Sequence, residues 1–284
     1  MSLIYDVAFN SGTRVLSLLD KAGNVVSSCE VPSKSKELTL TATVDNSSVK
    51  LIKNGIISNL YKVDTGSGWT AYELGTVINL NKGQSCKWRC TRRSDTFSSD
   101  TYVQFVMTGK IKASNLVTSI IKDDLEPTSL EGYSYACCSL FKECKPLVKA
   151  PALPATILAE SCYRSMFAGC DGLTQAPELP ATKLADYCYR SMFEWCKGLT
   201  QAPELPATIL AYGCYYYMLY GCNGLTEVRI KATEKAVYSL LEWLNGVAAT
   251  GDFYCDPNAT IFPTDSTSGI PKGWRRLNIN NYPN

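Results

Sequence analysis

Histidine is missing from all 284 residues of the sequence. Its absence excludes the Ser-His-Asp and Cys-His arrangements that activate a nucleophile, and also the imidazole ligand sets of common zinc and iron sites. Acid–base catalysis would therefore depend on carboxylates, lysine, tyrosine or cysteine. The composition favours a protein that is not an enzyme, and we expect no cofactor.

Long apolar runs and a large net charge are missing as well. No stretch of 18 or more apolar residues occurs, so we expect no membrane span. The formal net charge of +2 provides no overall electrostatic reason to bind nucleic acid. Residues 1–10 contain neither a basic segment nor a long apolar stretch, and we expect no signal peptide. One local basic cluster is better explained as a solvated strand end than as a phosphate site: Lys87, Arg89, Arg92 and Arg93.

A repeat of 26 residues occupies the middle of the chain. The segment from Cys162 to Thr182 returns almost unchanged from Cys188 to Thr208. A degenerate copy precedes it from Ala136, and a truncated copy follows from Cys214. Four tandem units of this length predict a solenoid, because each unit must bury its apolar side against the next.

The spacing within each unit predicts a helix followed by a short strand. Apolar residues recur every four positions and would share one buried helical face: Leu158, Cys162, Met166 and Cys170 in one unit, then Leu184, Cys188, Met192 and Cys196. The strand is predicted over Gly172–Ala176, where Pro177 and Pro180 stop it. A second amphipathic helix is predicted over Glu234–Leu244, with four inward residues: Val237, Leu240, Leu241 and Leu244.

Thirteen cysteines raise the alternatives of disulfides or a metal site. In a helix, Cys162 and Cys170 would lie about 12 Å apart, beyond the ~7 Å Cα separation that a disulfide spans. One cysteine column recurs once per unit and suits a small residue that packs at a bend and accepts a weak hydrogen bond: Cys144, Cys170, Cys196 and Cys222. We expect buried free thiols, with disulfides between units and metal binding as the less favoured alternatives.

The chain is divided into four segments on these patterns. Residues 1–38 are a small strand group and a candidate attachment module. Residues 39–124 contain short segments of alternating polarity separated by turn residues, which predict an immunoglobulin-like antiparallel β-sandwich with a bridge. Residues 125–226 are the four repeats. Residues 227–284 are a C-terminal cap that covers the apolar end of the solenoid.

The repeat resembles a known family. Its unit, Cys-Tyr-x-x-Met-Phe-x-x-Cys-x-x-Leu-Thr-x-Ala-Pro-x-Leu-Pro-Ala-Thr, is similar to the BspA-type leucine-rich repeat of surface proteins from Bacteroides-group bacteria and their phages. The segments before and after the repeats are similar to the modules that flank such repeats. The expected fold class is therefore α+β, an N-terminal antiparallel β-sandwich followed by a short capped leucine-rich-repeat solenoid. The resemblance implies adhesion or ligand display without catalysis.

Polar residues on the predicted strand face are the first candidates for ligand or partner binding. This face is the usual recognition surface of such solenoids, and its neutral and polar side chains suit glycans or proteins: Thr174, Gln175, Glu178, Thr200, Gln201 and Glu204. A catalytic role for Glu178 and Glu204 is disfavoured. An acid–base pair needs two different environments, whereas residues repeated by translation have similar ones.

Aromatic residues that break the repeat are the second candidates. Trp195 stands where the sister units have glycine, and three tyrosines replace arginine, serine and glutamate: Tyr216, Tyr217 and Tyr220. Exposed tyrosine and tryptophan are enriched at interfaces. Packing against the N-terminal domain or the cap is the alternative explanation.

These patterns predict a non-catalytic attachment or recognition protein. We expect a phage virion component, a head or tail decoration or fibre protein on the virion surface, held by a virion or cell-surface protein through its N-terminal β region. Its repeats would bind host or mucosal glycans or proteins. A bacterial cell-surface adhesin is the alternative, and an accessory protein of a carbohydrate-active enzyme is the second. Nucleic acid is not an expected partner, and self-association into a homo-oligomer is left open.

Overall fold

The computed structural model describes residues 6–10, 15–19, 25–30, 37–92, 97–121 and 128–282. The chain divides into two compact units, Met1–Lys36 and Glu37–Asn284. In the first unit, three strands form an antiparallel sheet in sequence order: β1 (Asp6–Asn10), β2 (Val15–Leu19) and β3 (Val25–Glu30).

The second unit begins with eight strands. They are β4 (Leu38–Ala42), β5 (Ser47–Asn54), β6 (Leu60–Asp64), β7 (Trp69–Tyr72), β8 (Ile78–Leu80), β9 (Ser85–Arg92), β10 (Tyr102–Thr108) and β11 (Ile111–Ser114). A 3-10 helix, Val117–Ile120, follows them. Buried and partly exposed residues alternate along β5, β9 and β10, because successive side chains of a strand point to opposite faces.

The remaining strands are short and lie in and after the repeats. They are β12 (Leu147–Lys149), β13 (Ile209–Leu210), β14 (Glu227–Arg229), β15 (Glu234–Lys235), β16 (Gly251–Cys255) and β17 (Trp274–Asn278). A second 3-10 helix, Ile279–Asn281, ends the described chain. None of the helices in the described ranges has the length and apolar character that crossing a membrane requires.

Two sheets of the second unit share one core. One has the order β10-β5-β8 and the other the order β12-β11-β4-β9-β6-β7. The rings of Trp88 from β9 and Phe105 from β10 meet at 5.1 Å, and both side chains are fully buried. The structure locates Arg89 of the basic cluster and does not describe Arg93. The Arg89 guanidinium lies 4.2 Å from the Trp69 ring, and Arg93 falls outside the described residues.

The predicted α+β class, and with it the helix-bearing leucine-rich-repeat solenoid, is wrong. The described residues are nearly all β and turn, and they contain no α-helix. Each repeat instead runs as consecutive tight turns, in which every fourth residue has a positive φ: 52° at Ser161, 53° at Ser165 and 74° at Gly169. Left-handed residues at this interval cannot occur in a right-handed helix.

The hydrogen bonds of these turns alternate between local and distant partners. The amides of Arg164 and Met166 donate to carbonyls three residues earlier. Between them, the Ser165 amide donates 2.8 Å to the carbonyl of Arg190, 25 residues later in the next repeat. Successive repeats therefore stack through their backbones. The predicted strand Gly172–Ala176 is likewise not a strand, although isolated parallel bridges such as Gln201 to Glu227 join neighbouring turns.

The predicted helix Glu234–Leu244 is another turn of the same stack. Tyr238 and Glu242 have φ values of 58° and 53°, and the Tyr215 amide donates to the Ser239 carbonyl at 3.0 Å. Leu240 and Leu244 are buried as predicted, but Val237 is 63% exposed. The stack thus continues past the last unit that the sequence repeat marks.

Strand β10 forms the first layer beneath the stack. The Phe105 amide donates 2.8 Å to the Leu140 carbonyl, and the Phe105 ring stacks on Phe141 at 5.3 Å. Strand β12 of the first repeat also pairs in parallel with β11. The strand region and the turn stack are therefore one body with a continuous core.

Candidate ligand-binding surfaces

The six predicted polar residues lie together along one groove, which we call the polar groove. All six are exposed, and they line a cavity of about 440 Å³ with two prolines, two alanines and Arg229: Thr174, Gln175, Glu178, Thr200, Gln201 and Glu204. The buried side chains of Leu173 and Leu199 anchor each strip of the groove to the core. Because the neighbouring turns are in register, the Thr-Gln-Glu set of one turn lies beside that of the next.

The polar groove continues in both directions along the stack. On one side, Gln175 and Glu178 also line a cavity of about 290 Å³ that reaches Lys149. On the other side, Glu204 and Arg229 also line a cavity of about 560 Å³ that reaches Tyr282. Shared lining residues make these three hollows one elongated surface.

Charged groups are concentrated at the Tyr282 end of the polar groove. Lys231 Nζ lies 2.7 Å from Glu204 Oε1, with both side chains about half exposed. The Arg229 guanidinium is 4.3 Å from the Tyr282 ring, and its Nε lies 3.2 Å from Glu227 Oε1. The Tyr282 hydroxyl donates to the same Glu227 oxygen at 3.1 Å.

The sequence analysis missed this charged end, because Arg229, Lys231 and Tyr282 lie outside the 26-residue frame that the units share. One signal was present in the sequence: the alternation Val228-Arg229-Ile230-Lys231, which places both cations on the solvent side of β14 and its extension. No pattern in the sequence relates Tyr282 to this segment.

The four predicted aromatic residues also lie together. The rings of Trp195 and Tyr220 are 5.2 Å apart and nearly perpendicular, at 79°. Tyr220 and Tyr217 are 5.2 Å apart, and Tyr217 and Tyr216 are 4.3 Å apart. Trp195 remains 48% exposed, and the three tyrosines are partly exposed. We call this set the aromatic surface.

Further residues extend the aromatic surface. The Arg190 guanidinium lies over Tyr216 at 4.6 Å and near Tyr187 at 5.6 Å. Tyr187 meets Tyr212 at 5.2 Å, and Tyr212 meets Tyr238 at 5.6 Å. The sequence analysis did not predict these tyrosines, although Tyr187 and Tyr212 also depart from their sister units, which have Ser161 and Glu160 at the equivalent positions.

Two of these rings pack against glycine residues of the following turn. A Cβ on Gly221 would lie 2.3 Å from Trp195 Cε3, and one on Gly213 would lie 2.5 Å from Tyr187 Cε1. The two aromatic side chains therefore lie directly against the backbone of the next turn. Trp195 nevertheless remains 48% exposed, and Tyr187 is partly exposed.

The thiols of the cysteine column donate hydrogen bonds. The prediction was that they accept them. The thiols of Cys170, Cys196 and Cys222 each lie 3.0 Å from the backbone carbonyl oxygen 29 residues earlier. Cys144 makes the equivalent bond to Phe105 at 3.1 Å. A thiol is small enough for this interior position. It adds a second hydrogen bond to the Phe141, Phe167 and Phe193 carbonyls, which already accept the amides of the residues three positions later.

These cysteines are unsuited to thiolate chemistry. Burial raises the pKa of Cys144 and Cys222 to about 12, and it also raises the pKa of Cys170 and Cys196 well above the ordinary value. Metal binding and nucleophilic attack both need the thiolate. Across the part of the chain that the structure describes, no three His, Cys, Asp or Glu residues are placed to hold a metal ion.

Comparison of the chain with family models, curated proteins and solved structures finds no match. The similarity to BspA-type repeat proteins therefore rests on the repeat unit and its flanking segments and stays a prediction. The polar groove and the aromatic surface are the features from which a function follows.

Proposed function

We propose that this protein is a non-catalytic recognition and attachment protein whose turn stack binds a host or mucosal glycan or protein along the polar groove. The observation that carries the proposal is the continuity of the groove, which joins three hollows across successive turns. A surface of this shape suits a chain-like ligand better than a small molecule.

The periodicity of the groove supports an extended ligand. Turns joined by backbone hydrogen bonds lie about 4.8 Å apart, as neighbouring strands do. The groove therefore offers the same hydroxyl, amide and carboxylate groups twice at this interval, on two successive turns. A polymer with regularly spaced hydroxyl or amide groups can make equivalent hydrogen bonds on both turns, and a rigid stack keeps those groups in place before binding.

Several features make the groove poorly suited to acid–base catalysis. Glu178 and Glu204 occupy equivalent positions on successive turns. Lys231 distinguishes Glu204 from Glu178, but it engages the Glu204 carboxylate in an ion pair at 2.7 Å. Neither histidine nor a candidate metal cluster among the described residues is present to supply a different acid or base.

The resemblance of the repeat unit is the support for a location on a phage particle, as a decoration or fibre protein held through the N-terminal β region. The bacterial cell surface is the alternative. Gold-labelled antibody against the protein should bind purified particles in the first case and intact bacteria without phage in the second.

Binding along the groove is tested with a quadruple variant: Gln175→Ala, Glu178→Gln, Gln201→Ala and Glu204→Gln. Purified full-length protein is passed over immobilised mucin-type glycans and capsular polysaccharides. We expect binding to weaken by about tenfold or more, since several hydrogen bonds are lost. The melting temperature should change little, because all four side chains are exposed.

The matched control replaces two exposed glutamates outside the groove, Glu131→Gln and Glu160→Gln. It removes the same charge and should bind like the wild type. Equal binding by the groove variant and the wild type would refute the groove as the ligand site. Release of new sugar ends from the polysaccharides would instead support the alternative of a carbohydrate-active function.

A further inference from the structure

Trp195 and Tyr220 form a right-angled corner on the aromatic surface that the polar groove does not include. The Trp195 ring lies against Gly221 and forms a floor, while the Tyr220 ring stands at 79° to it and forms a wall. Tyr217 lies beside the wall, 5.2 Å from Tyr220 with its ring inclined at 64° to it.

The corner is rigid before any ligand arrives. The Trp195 backbone has a φ of 60°, and its amide donates 2.7 Å to the carbonyl of Tyr220. This bond ties the floor directly to the residue that carries the wall. A site that is already ordered loses little conformational entropy on binding, so even a small contact area can give measurable affinity.

The chemistry of the corner is apolar on its floor and polar at its rim. Trp195 is the only tryptophan among the exposed large hydrophobic residues of the described chain, at 48%. The Tyr220 ring adjoins it at 5.2 Å, and Tyr217, Tyr216 and the Arg190 guanidinium follow in that order along the aromatic surface. The nearby Glu242 carboxylate is already committed, since it accepts hydrogen bonds from Asn245 and Thr267.

The geometry points to a binding site for a neutral pyranose sugar in this corner, separate from the polar groove. A pyranose presents C–H groups on one face and hydroxyls around its edge. The C–H face can cover the Trp195 ring, while the edge hydroxyls bond to phenols at the wall. Tyrosine and tryptophan suit such a ligand because each offers an apolar face together with a polar tip.

The sister turns provide variants that the scaffold already accepts. Trp195→Gly places the residue found at Gly169 and Gly221, and glycine tolerates the positive φ. Tyr220→Glu places the residue found at Glu194. Tyr238→Ser is the matched control: it removes a 53% exposed tyrosine outside the corner and places the residue found at Ser161.

The test measures binding of the full chain to methyl glycosides of glucose, galactose, mannose, fucose, N-acetylglucosamine and N-acetylgalactosamine. Saturation-transfer NMR and tryptophan fluorescence report the binding. We expect at least one glycoside to bind, with an affinity lowered about tenfold or more by Trp195→Gly and by Tyr220→Glu. Tyr238→Ser and the quadruple groove variant should bind as the wild type does, and unchanged melting temperatures establish that the variants fold.

Three results would overturn the inference. They are binding of no glycoside at millimolar concentration, equal binding by Trp195→Gly and the wild type, and loss of binding only in the groove variant. Self-association that Trp195→Gly abolishes, without glycoside binding, would identify the corner as a protein contact and reject the sugar site. The groove experiment uses different residues, so the two proposals can fail independently.

Discussion

Residues at equivalent positions of successive turns form columns along the stack. One column contains Glu143, Gly169, Trp195, Gly221 and Gly246, all with positive φ values. A large side chain at one level lies against glycine at the next, as Glu143 does against Gly169 and Trp195 against Gly221. Substituting either glycine would both strain the backbone and displace the side chain above it.

The buried thiols make the stability of the fold depend on pH. Burial raises the pKa of Cys144, Cys162, Cys214 and Cys222 to about 12, from an ordinary value of 9.0. Between these values the unfolded chain loses thiol protons that the folded chain retains, so unfolding becomes easier as the pH rises. The contribution is complete below about pH 9 and is lost by about pH 12, at roughly 1.4 kcal/mol per pH unit for each thiol.

Urea unfolding in the presence of reductant, from about pH 7.5 to about pH 10.5, should show this loss of stability above about pH 9. The variant Cys144→Ala should be less stable at neutral pH. Its free energy of unfolding should fall less steeply with rising pH, because the variant lacks one of the buried thiols. A free energy of unfolding that stays constant across this range would contradict the assignment of the cysteines as buried thiols.

At the scale of the element, a four-residue period of buried side chains is compatible with two local structures. The spacing of Cys162, Met166 and Cys170 fits a helical face, and all three side chains are fully buried. The same spacing arises when each turn takes four residues and ends in a left-handed residue. The buried cysteine and methionine positions were therefore predicted correctly from a wrong local structure. Leu158 of the same predicted face is partly exposed, and the buried Tyr163 and Phe167 were not predicted.

Ser165→Gly distinguishes the two local structures by the sign of its effect. Glycine in a helix interior lowers stability by about 0.5–1 kcal/mol relative to alanine. At the positive φ of Ser165, glycine instead relieves a left-handed strain of about 1–2 kcal/mol, offset in part by backbone entropy. We expect equal or higher stability in chemical denaturation, and Ser165→Val should be clearly destabilised. If Ser165→Gly lowered the stability as much as Ser165→Val does, the turn geometry would be wrong.

At the scale of the whole molecule, one line of aromatic rings joins the strand region to the stack. Trp88, Phe105, Phe141, Phe167 and Phe193 follow one another with ring centroids 5.1, 5.3, 5.6 and 5.7 Å apart. Phe105 is the link, because it belongs to β10 and contacts both regions. Residues 37–284 should therefore unfold cooperatively.

Phe105→Ala should lower the free energy of unfolding by about 3–5 kcal/mol, since it removes a fully buried ring and leaves a cavity. Tryptophan fluorescence and far-UV circular dichroism should still report one shared transition. Val77→Ala, at a 52% exposed position, is the control and should change stability little. Separate transitions for the strand region and the stack in the wild type would disprove the single core.

The sequence by itself determined the 26-residue step, the buried Cys and Met positions and the six polar residues of the groove. These follow from local repetition and from the preference of apolar side chains for the interior. Only the tertiary structure decided that the repeats are turns, because alternate amides from Ser161 to Gly169 donate to carbonyls 25 residues later. It also decided that β10 is the first layer of the stack, that Tyr282 completes the charged end of the groove, and that Trp195 and Tyr220 stand at a right angle. Such contacts depend on which turns become neighbours, and no local pattern of residues encodes that.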